Sequence, residues 1–309
     1  MPEHKASCRT VRAQGVFNMK IDELLKEKGH SLSYEFFSPK DERGETSLFA
    51  AIHSLARFKP TFVSVTYGAG GGTSKNTRHV VERIIAETSL NVMPHITCIN
   101  QSRESLEAIL NGYKEIGINN IMALRGDPPL DEYGNPIMPK SRYYARDLVR
   151  WIRPLGGYSI GVAVYPEGHL DMPNLEEDIL FTKEKVDAGA DFGITQMFFD
   201  NGFFYAFMER ARRVGIDIPI IAAIMPISDI ERMRVFCQRC GTSLPDSCAK
   251  RFENTSKTEA FEIGIELACE QVDDLMRNGV SCFHFYTLNR GEAVERIISD
   301  LGLQNLGDT

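Results

Sequence analysis

No segment of this 309-residue chain is apolar for long enough to span a bilayer. The most apolar stretch, residues 220–227, falls far short of the roughly 20 residues a transmembrane helix needs and is interrupted by Pro226. The first 20 residues lack the continuous apolar core of a secretory signal, although Lys5, Arg9, Arg12 and Lys20 face the single acid Glu3. That bias leaves a mitochondrial presequence as the alternative to a plain disordered extension. There is no basic block, and 35 Lys and Arg against 42 Asp and Glu give a net charge of -7. Clustered cations are what nucleic-acid phosphates and anionic membranes require, so neither is an expected partner. Seven cysteines do not make a disulfide framework in a chain of this length, and their odd number leaves at least one unpaired. The composition is that of a soluble protein of a reducing cytoplasm.

Several nucleotide and metal signatures are also missing. Gly68-x-Gly70-x-x-Thr73 lacks the last glycine of the dinucleotide fingerprint, and Thr73-Ser74-Lys75 is not the ending of a P-loop. Cys237-Gln238-Arg239-Cys240, with Cys248 nearby, has no second cysteine or histidine pair to complete four ligands. His95, His169 and His284 fit neither a metal-binding helix nor a facial triad, so no metal is expected. Hydrogen bonding to an organic ligand is the role expected of them. No linker, repeat or low-complexity tract divides the chain.

What is present is a regular alternation of short β-rich runs and amphipathic helical runs. Strands are predicted at 32–37, 61–66, 92–97, 120–124, 159–164, 192–196, 218–223 and 282–285. Helices are predicted near 46–58, 75–88, 103–116, 143–153, 175–188, 201–214, 229–239 and 291–301. Successive strand starts lie 26 to 39 residues apart except the last two, at Ile218 and Cys282, which are 64 apart and leave room for additional helices. Eight strand-plus-helix units predict an α/β fold of the (β/α)8 TIM-barrel class in one domain, residues 21–305, after a disordered extension, residues 1–20. An open doubly wound sheet is the competing architecture. Met19 opens a segment whose Ile21, Leu24 and Leu25 share one helical face.

Barrel chemistry is built at the carboxyl ends of the strands. Alternation puts Ser33, Glu35 and Phe37 on one face of the first strand, opposite Tyr34 and Phe36. A carboxyl inside a barrel and beside an aromatic ring loses hydration, so Glu35 is expected to have a raised pKa and to act as a general acid. Its competing role is a rim carboxylate paired with a base. Arg125-Gly126-Asp127, followed by two prolines, puts a cation and an anion on one tight loop. That loop suits a ligand with both a phosphate and an electron-poor heterocycle, or else is braced by its own ion pair.

Taken in order, the strings YEFFSPK, FVSVTYGAG, HITC, NIMALRGDPP, VAVYPEGH, KVDAGADFGITQMFFD and FHFYTLNR resemble the methylenetetrahydrofolate reductase family. The resemblance runs from Leu32 to the helix after Arg290. It implies a flavoprotein barrel with FAD as cofactor, reducing 5,10-methylenetetrahydrofolate to 5-methyltetrahydrofolate and so supplying methyl groups for methionine synthesis. Nicotinamide and folate would use one pocket in turn, a ping-pong cycle that explains the missing dinucleotide fingerprint. The compact length points to NADH over NADPH, and related enzymes imply a homo-oligomer. The alternative is a related folate barrel that receives electrons from a partner protein.

Carried over residue by residue, Glu35 matches the acid that protonates N10 of the folate, and Asp127 matches a carboxylate near flavin and pterin. Gln196, Phe236 and Arg290 match substrate-binding positions. Thr66, Tyr67, Ala69, His95, Arg125, Gly126 and Asp127 match FAD contacts on the first four strands. Tyr144, Ala145, Tyr165, His169, Asp178 and Lys185 match the remaining FAD contacts, with Arg125, His169 and Lys185 suited to the pyrophosphate. The chain departs from some bacterial members at Arg232, Phe181 and Glu184, where they have a substrate-binding Gln and polar or basic flavin contacts. The C-terminal regulatory domain of eukaryotic members is not expected, nor is inhibition by S-adenosylmethionine.

Overall fold

A computed structural model describes residues 19–67, 74–128, 131, 133, 136–137 and 143–304. The predicted extension, apart from Met19 and Lys20, and the glycine run after the second strand, with Ala69, lie outside the described residues. The strands are β1 (Ser31–Phe36), β2 (Phe62–Val65), β3 (Val92–Thr97), β4 (Asn120–Leu124), β5 (Ser159–Val164), β6 (Phe192–Thr195), β7 (Ile220–Ile224) and β8 (Cys282–Tyr286). Each pairs in parallel with the next, and β8 pairs with β1, closing the barrel. Helices α2 (Glu42–Ala56), α3 (Ser74–Glu87), α4 (Arg103–Glu115), α5 (Ala145–Ile152), α6 (Leu175–Asp187), α7 (Asn201–Arg213), α8 (Ile230–Cys240) and α11 (Glu292–Leu301) follow the strands. The long step before β8 holds α9 (Asp246–Lys250) and α10 (Lys257–Arg277).

The boundaries follow from local chemistry. α2 starts four residues before its expected position because the Asp41 side chain accepts from the Gly44 N–H and caps it. β7 starts at Ile220 and not at Ile218 because Pro219, which has no N–H, can only accept, from Gly193. α10 opens with a capping box between Ser256 and Glu259. It then passes so close to the β7–α8 loop that a Cβ on Gly264 would sit 1.7 Å from the Ile227 carbonyl oxygen.

Strands covered on both faces carry apolar side chains on both. Tyr34 and Phe36 point outward into the layer packed by Leu48, Ile52, Val80 and the other helix-borne apolar residues. Phe62, Met93, Met122, Phe192 and Ile221 fill the lumen. The helix expected after Met19 is α1 (Ile21–Lys28), and its buried Ile21 and Leu25 join that lumen cluster. It is tied to the amino ends of the strands. The Ile21 N–H donates to Asn120 Oδ1 at 2.9 Å, Asn120 Nδ2 donates to the Met19 carbonyl at 2.9 Å, and the Asp22 N–H donates to Ser159 Oγ at 3.1 Å. With one end plugged, the opposite, carboxyl end is left for chemistry.

Candidate active site

Glu35 stands near the end of β1, opposite Ser64 of β2 and Tyr286 of β8, and is only 8% exposed. His95 from β3 and His284 from β8 aim their Nε2 atoms at its Oε2 from 3.5 and 3.7 Å. Neither nitrogen has a hydrogen-bond partner. His284 is fully buried, and its Nδ1 lies 2.8 Å from Ser33 Oγ, which is also 3.1 Å from the Phe283 carbonyl. The Ser33 hydroxyl can donate to that carbonyl while its oxygen accepts from His284 Nδ1–H, and His284 Nε2 then faces Glu35 Oε2 from beyond hydrogen-bond distance.

This corrects the expected pKa of Glu35. Burial does push the carboxyl upward, but the approach of His284, the charges of His95 and His284 and the Ser64 hydroxyl together hold it below its ordinary value. The two histidines come from distant strands, so inspection of β1 alone gives the wrong sign. His95 is itself lowered, by burial first and against the pull of Glu35. With His284 it faces the buried carboxyl inside the barrel.

Beyond the ends of β4 and β5, a cavity open to solvent lies against α5 and α6. Seven of the residues matched to FAD line it: Arg125, Tyr144, Ala145, Tyr165, His169, Asp178 and Lys185. Asp178 and Lys185 are seven apart on α6 and therefore share a face. Asp178 is buried, its carboxyl is pushed up by that burial, and its Oδ1 accepts from the His169 N–H at 3.1 Å. Lys185 Nζ donates to the Ala163 carbonyl at 2.6 Å, and burial lowers its pKa to about 8. Burial also lowers His169, which packs edge-on to Tyr165 at 4.8 Å.

Arg125 pairs with Asp171 and donates to the Gly126 carbonyl, so the ion pair bracing this loop runs to the β5–α6 segment. Gly126 has φ +85°, and a Cβ there would meet Thr97 and Ile99 at 2.8 Å. No other residue fits that turn without strain. Thr66 and Tyr67 lie at the end of β2, where the Thr66 carbonyl accepts from Ser38 Oγ and Tyr67 Oη accepts from Gln101 Nε2. The cavity also includes Leu124, Arg146, Ala163, Met172 and Phe181. Of these, Phe181 was legible as a cavity residue from its position three after Asp178 on the same helix.

The residues matched to substrate are spread along the rim. Asp127 is exposed just past β4, Arg290 is exposed past β8, and Phe236 is 37% exposed on α8. Gln196, at the end of β6, is half-buried, and its Oε1 accepts from the Met197 N–H at 2.9 Å. Tyr286 was missed as a site residue. Its hydroxyl donates to the Thr195 carbonyl at 3.2 Å, and its pKa is driven well up by burial and then by the charge of Glu35.

Among the described residues no three or more His, Cys, Asp or Glu side chains gather to hold a metal, and the described cysteines are free. Cys237 and Cys240 lie on α8 with thiols pushed up by burial to about 11. Such thiols are protonated and unreactive near neutral pH. No described helix is long and apolar enough to cross a membrane.

A family model described as methylenetetrahydrofolate reductase matches residues 20–302. The 5,10-methylenetetrahydrofolate reductase of Pectobacterium carotovorum subsp. carotovorum is 39% identical over 277 residues, covering 89% of this chain and 91% of that protein. The enzyme of the same name from Escherichia coli (strain K12) is 38% identical over the same length and coverage. Among solved structures, a Clostridium thermocellum protein described as binding two copies of 5-methyl-5,6,7,8-tetrahydrofolic acid superposes with a TM-score of 0.61 at 14% identity. It covers 93% of this chain and 100% of its own, a likeness of fold.

Proposed function

The chain belongs to the methylenetetrahydrofolate reductase family, and from that membership we propose that it reduces 5,10-methylenetetrahydrofolate to 5-methyltetrahydrofolate with FAD as cofactor and NADH as electron donor. In balance, the folate takes up a hydride and a proton, and NADH becomes NAD+. The product would serve methionine synthesis. The observation that supports the reading is the α5–α6 cavity beyond β4 and β5, lined by seven of the residues matched to FAD, in a barrel that also buries Glu35 between His95 and His284.

The residues present fit a flavin dinucleotide. Arg125 and Lys185 offer positive charge and His169 a ring N–H to a diphosphate, and the Lys185 amine donates to a carbonyl. An anion beside it would restore the charge that burial suppresses. Asp178, a buried carboxyl whose pKa burial pushes up, suits a ribityl hydroxyl. When bound, FAD supplies the hydride-carrying chemistry between nicotinamide and folate.

The chain's own groups do the rest. Glu35 delivers a proton to N10 as the five-membered ring of the folate opens to its iminium cation. The role requires that bound folate raise a carboxyl which His284 and His95 hold below its ordinary pKa. Asp127 supplies negative charge toward that cation. Gln196 orients the pterin, Phe236 stacks on folate or nicotinamide, and Arg290 meets the folate's carboxylates. Tyr286 walls the pocket from water beside Glu35.

The purified protein should be yellow or take up added FAD, and anaerobic mixing with NADH should bleach its flavin absorbance. A correctly folded protein that binds no FAD sinks the reading. Bound flavin that NADH leaves untouched favours a partner-protein donor.

A further inference from the structure

Arg146 is matched to no flavin or substrate contact, yet its side chain, 26% exposed, lines the cavity between α5 and α6. Its guanidinium carbon lies 5.3 Å from the ring centre of Tyr144 and 5.3 Å from that of Phe181. Both rings line the same cavity. We infer that Tyr144, Arg146 and Phe181 form the wall on which the adenine ring of the dinucleotide stacks, with Glu184 holding the guanidinium in place. This rests on the FAD reading of the cavity and assigns one half of the cofactor to a specific surface.

The charge of Arg146 is already committed. Its Nη1 pairs with Glu184, and its Nε lies 4.0 Å from Asp147 Oδ1. Arg125 faces one carboxylate and Lys185 donates to a carbonyl alone, so those two are better placed to meet a phosphate. What Arg146 has to offer is its flat, weakly hydrated plane, which stacks on aromatic faces in a way a lysine cannot.

The neighbourhood is preorganised. Tyr144 is the N-cap of α5, and its N–H donates to Asp147 Oδ2 at 2.9 Å. Phe181 stands one helical turn before Lys185 on the cavity face of α6. A planar base therefore fits one turn away from the cation expected at the diphosphate. Glu184, acidic where some relatives are basic, acts on the cofactor through Arg146: the charge at this edge is replaced by an anchored plane.

The test compares FAD with FMN, which lacks the adenosine. Apoprotein is titrated with each by flavin fluorescence, and each variant's melting temperature is measured to confirm folding. Stacking of a base is worth enough that Arg146→Ala should weaken FAD roughly tenfold and leave FMN unchanged. Arg146→Lys, which keeps the charge, should lose as much as the alanine variant. Glu184→Gln should weaken FAD by less and spare FMN. Equal weakening of FAD and FMN, unchanged FAD affinity in Arg146→Ala, or full rescue by lysine would overturn the assignment while leaving the flavin reading intact. Wild-type protein that binds neither flavin removes both.

Discussion

His284 bridges Ser33 and Glu35: its Nδ1 is 2.8 Å from Ser33 Oγ and its Nε2 is 3.7 Å from Glu35 Oε2, with the ring fully buried. The ring also stacks on Phe62 at 5.8 Å, which fixes its plane. A histidine so placed turns its polar edge toward the carboxyl where bulk water does not reach.

Removing the acid should split the reaction. Glu35→Gln is expected to slow folate reduction by about 10²- to 10⁴-fold, the usual worth of a positioned acid, while leaving flavin reduction by NADH nearly unchanged. Stopped-flow measurement of each half separately checks this, and equal loss in both would refute the role.

The pH dependence of stability follows from the sign of the Glu35 shift. Its folded pKa lies below the ordinary 4.5, so the carboxylate's contribution is present above that value and is lost as pH falls through the folded pKa. Thermal melts of wild type and Glu35→Gln should therefore converge as the pH is lowered below 4.5. A stability gap that widens with acid would mean the carboxyl is raised after all.

If FAD binds as proposed, Lys185 should make that binding a proton-coupled event. Its pKa of about 8 should rise when a diphosphate enters, so binding near pH 8 should take up a fraction of a proton. Calorimetry in buffers of different ionisation enthalpy reads that uptake, and Lys185→Met should abolish it. Uptake that persists in the variant assigns the proton elsewhere.

Gly264 is a packing requirement far from the cavity. Placing a methyl 1.7 Å from the Ile227 carbonyl oxygen forces α10 away from the β7–α8 loop. Gly264→Ala should cost about 3 kcal/mol, the upper end for overpacking, seen as a lowered denaturant midpoint. An unchanged midpoint would show that the contact is loose.

The alternation of short apolar runs with amphipathic segments determined the barrel, since each strand and helix is specified by residues within its own short window. β3, β4 and β5 fall at their predicted bounds. The same local logic placed Asp178 and Lys185 on one face of α6 and Glu35 inside the lumen. Closure of β8 onto β1, by contrast, sets His284 beside Glu35, and β3 brings His95 to it, which reversed the expected direction of its pKa. The partner of Arg125 proved to be Asp171, on another loop, and the anchor of Arg146 proved to be Glu184, on the next helix. Periodicity is a short-range property that a sequence displays directly. The charge state and partner of a buried group depend on which distant residues the closed barrel brings within a few ångströms, and only the tertiary structure decides that.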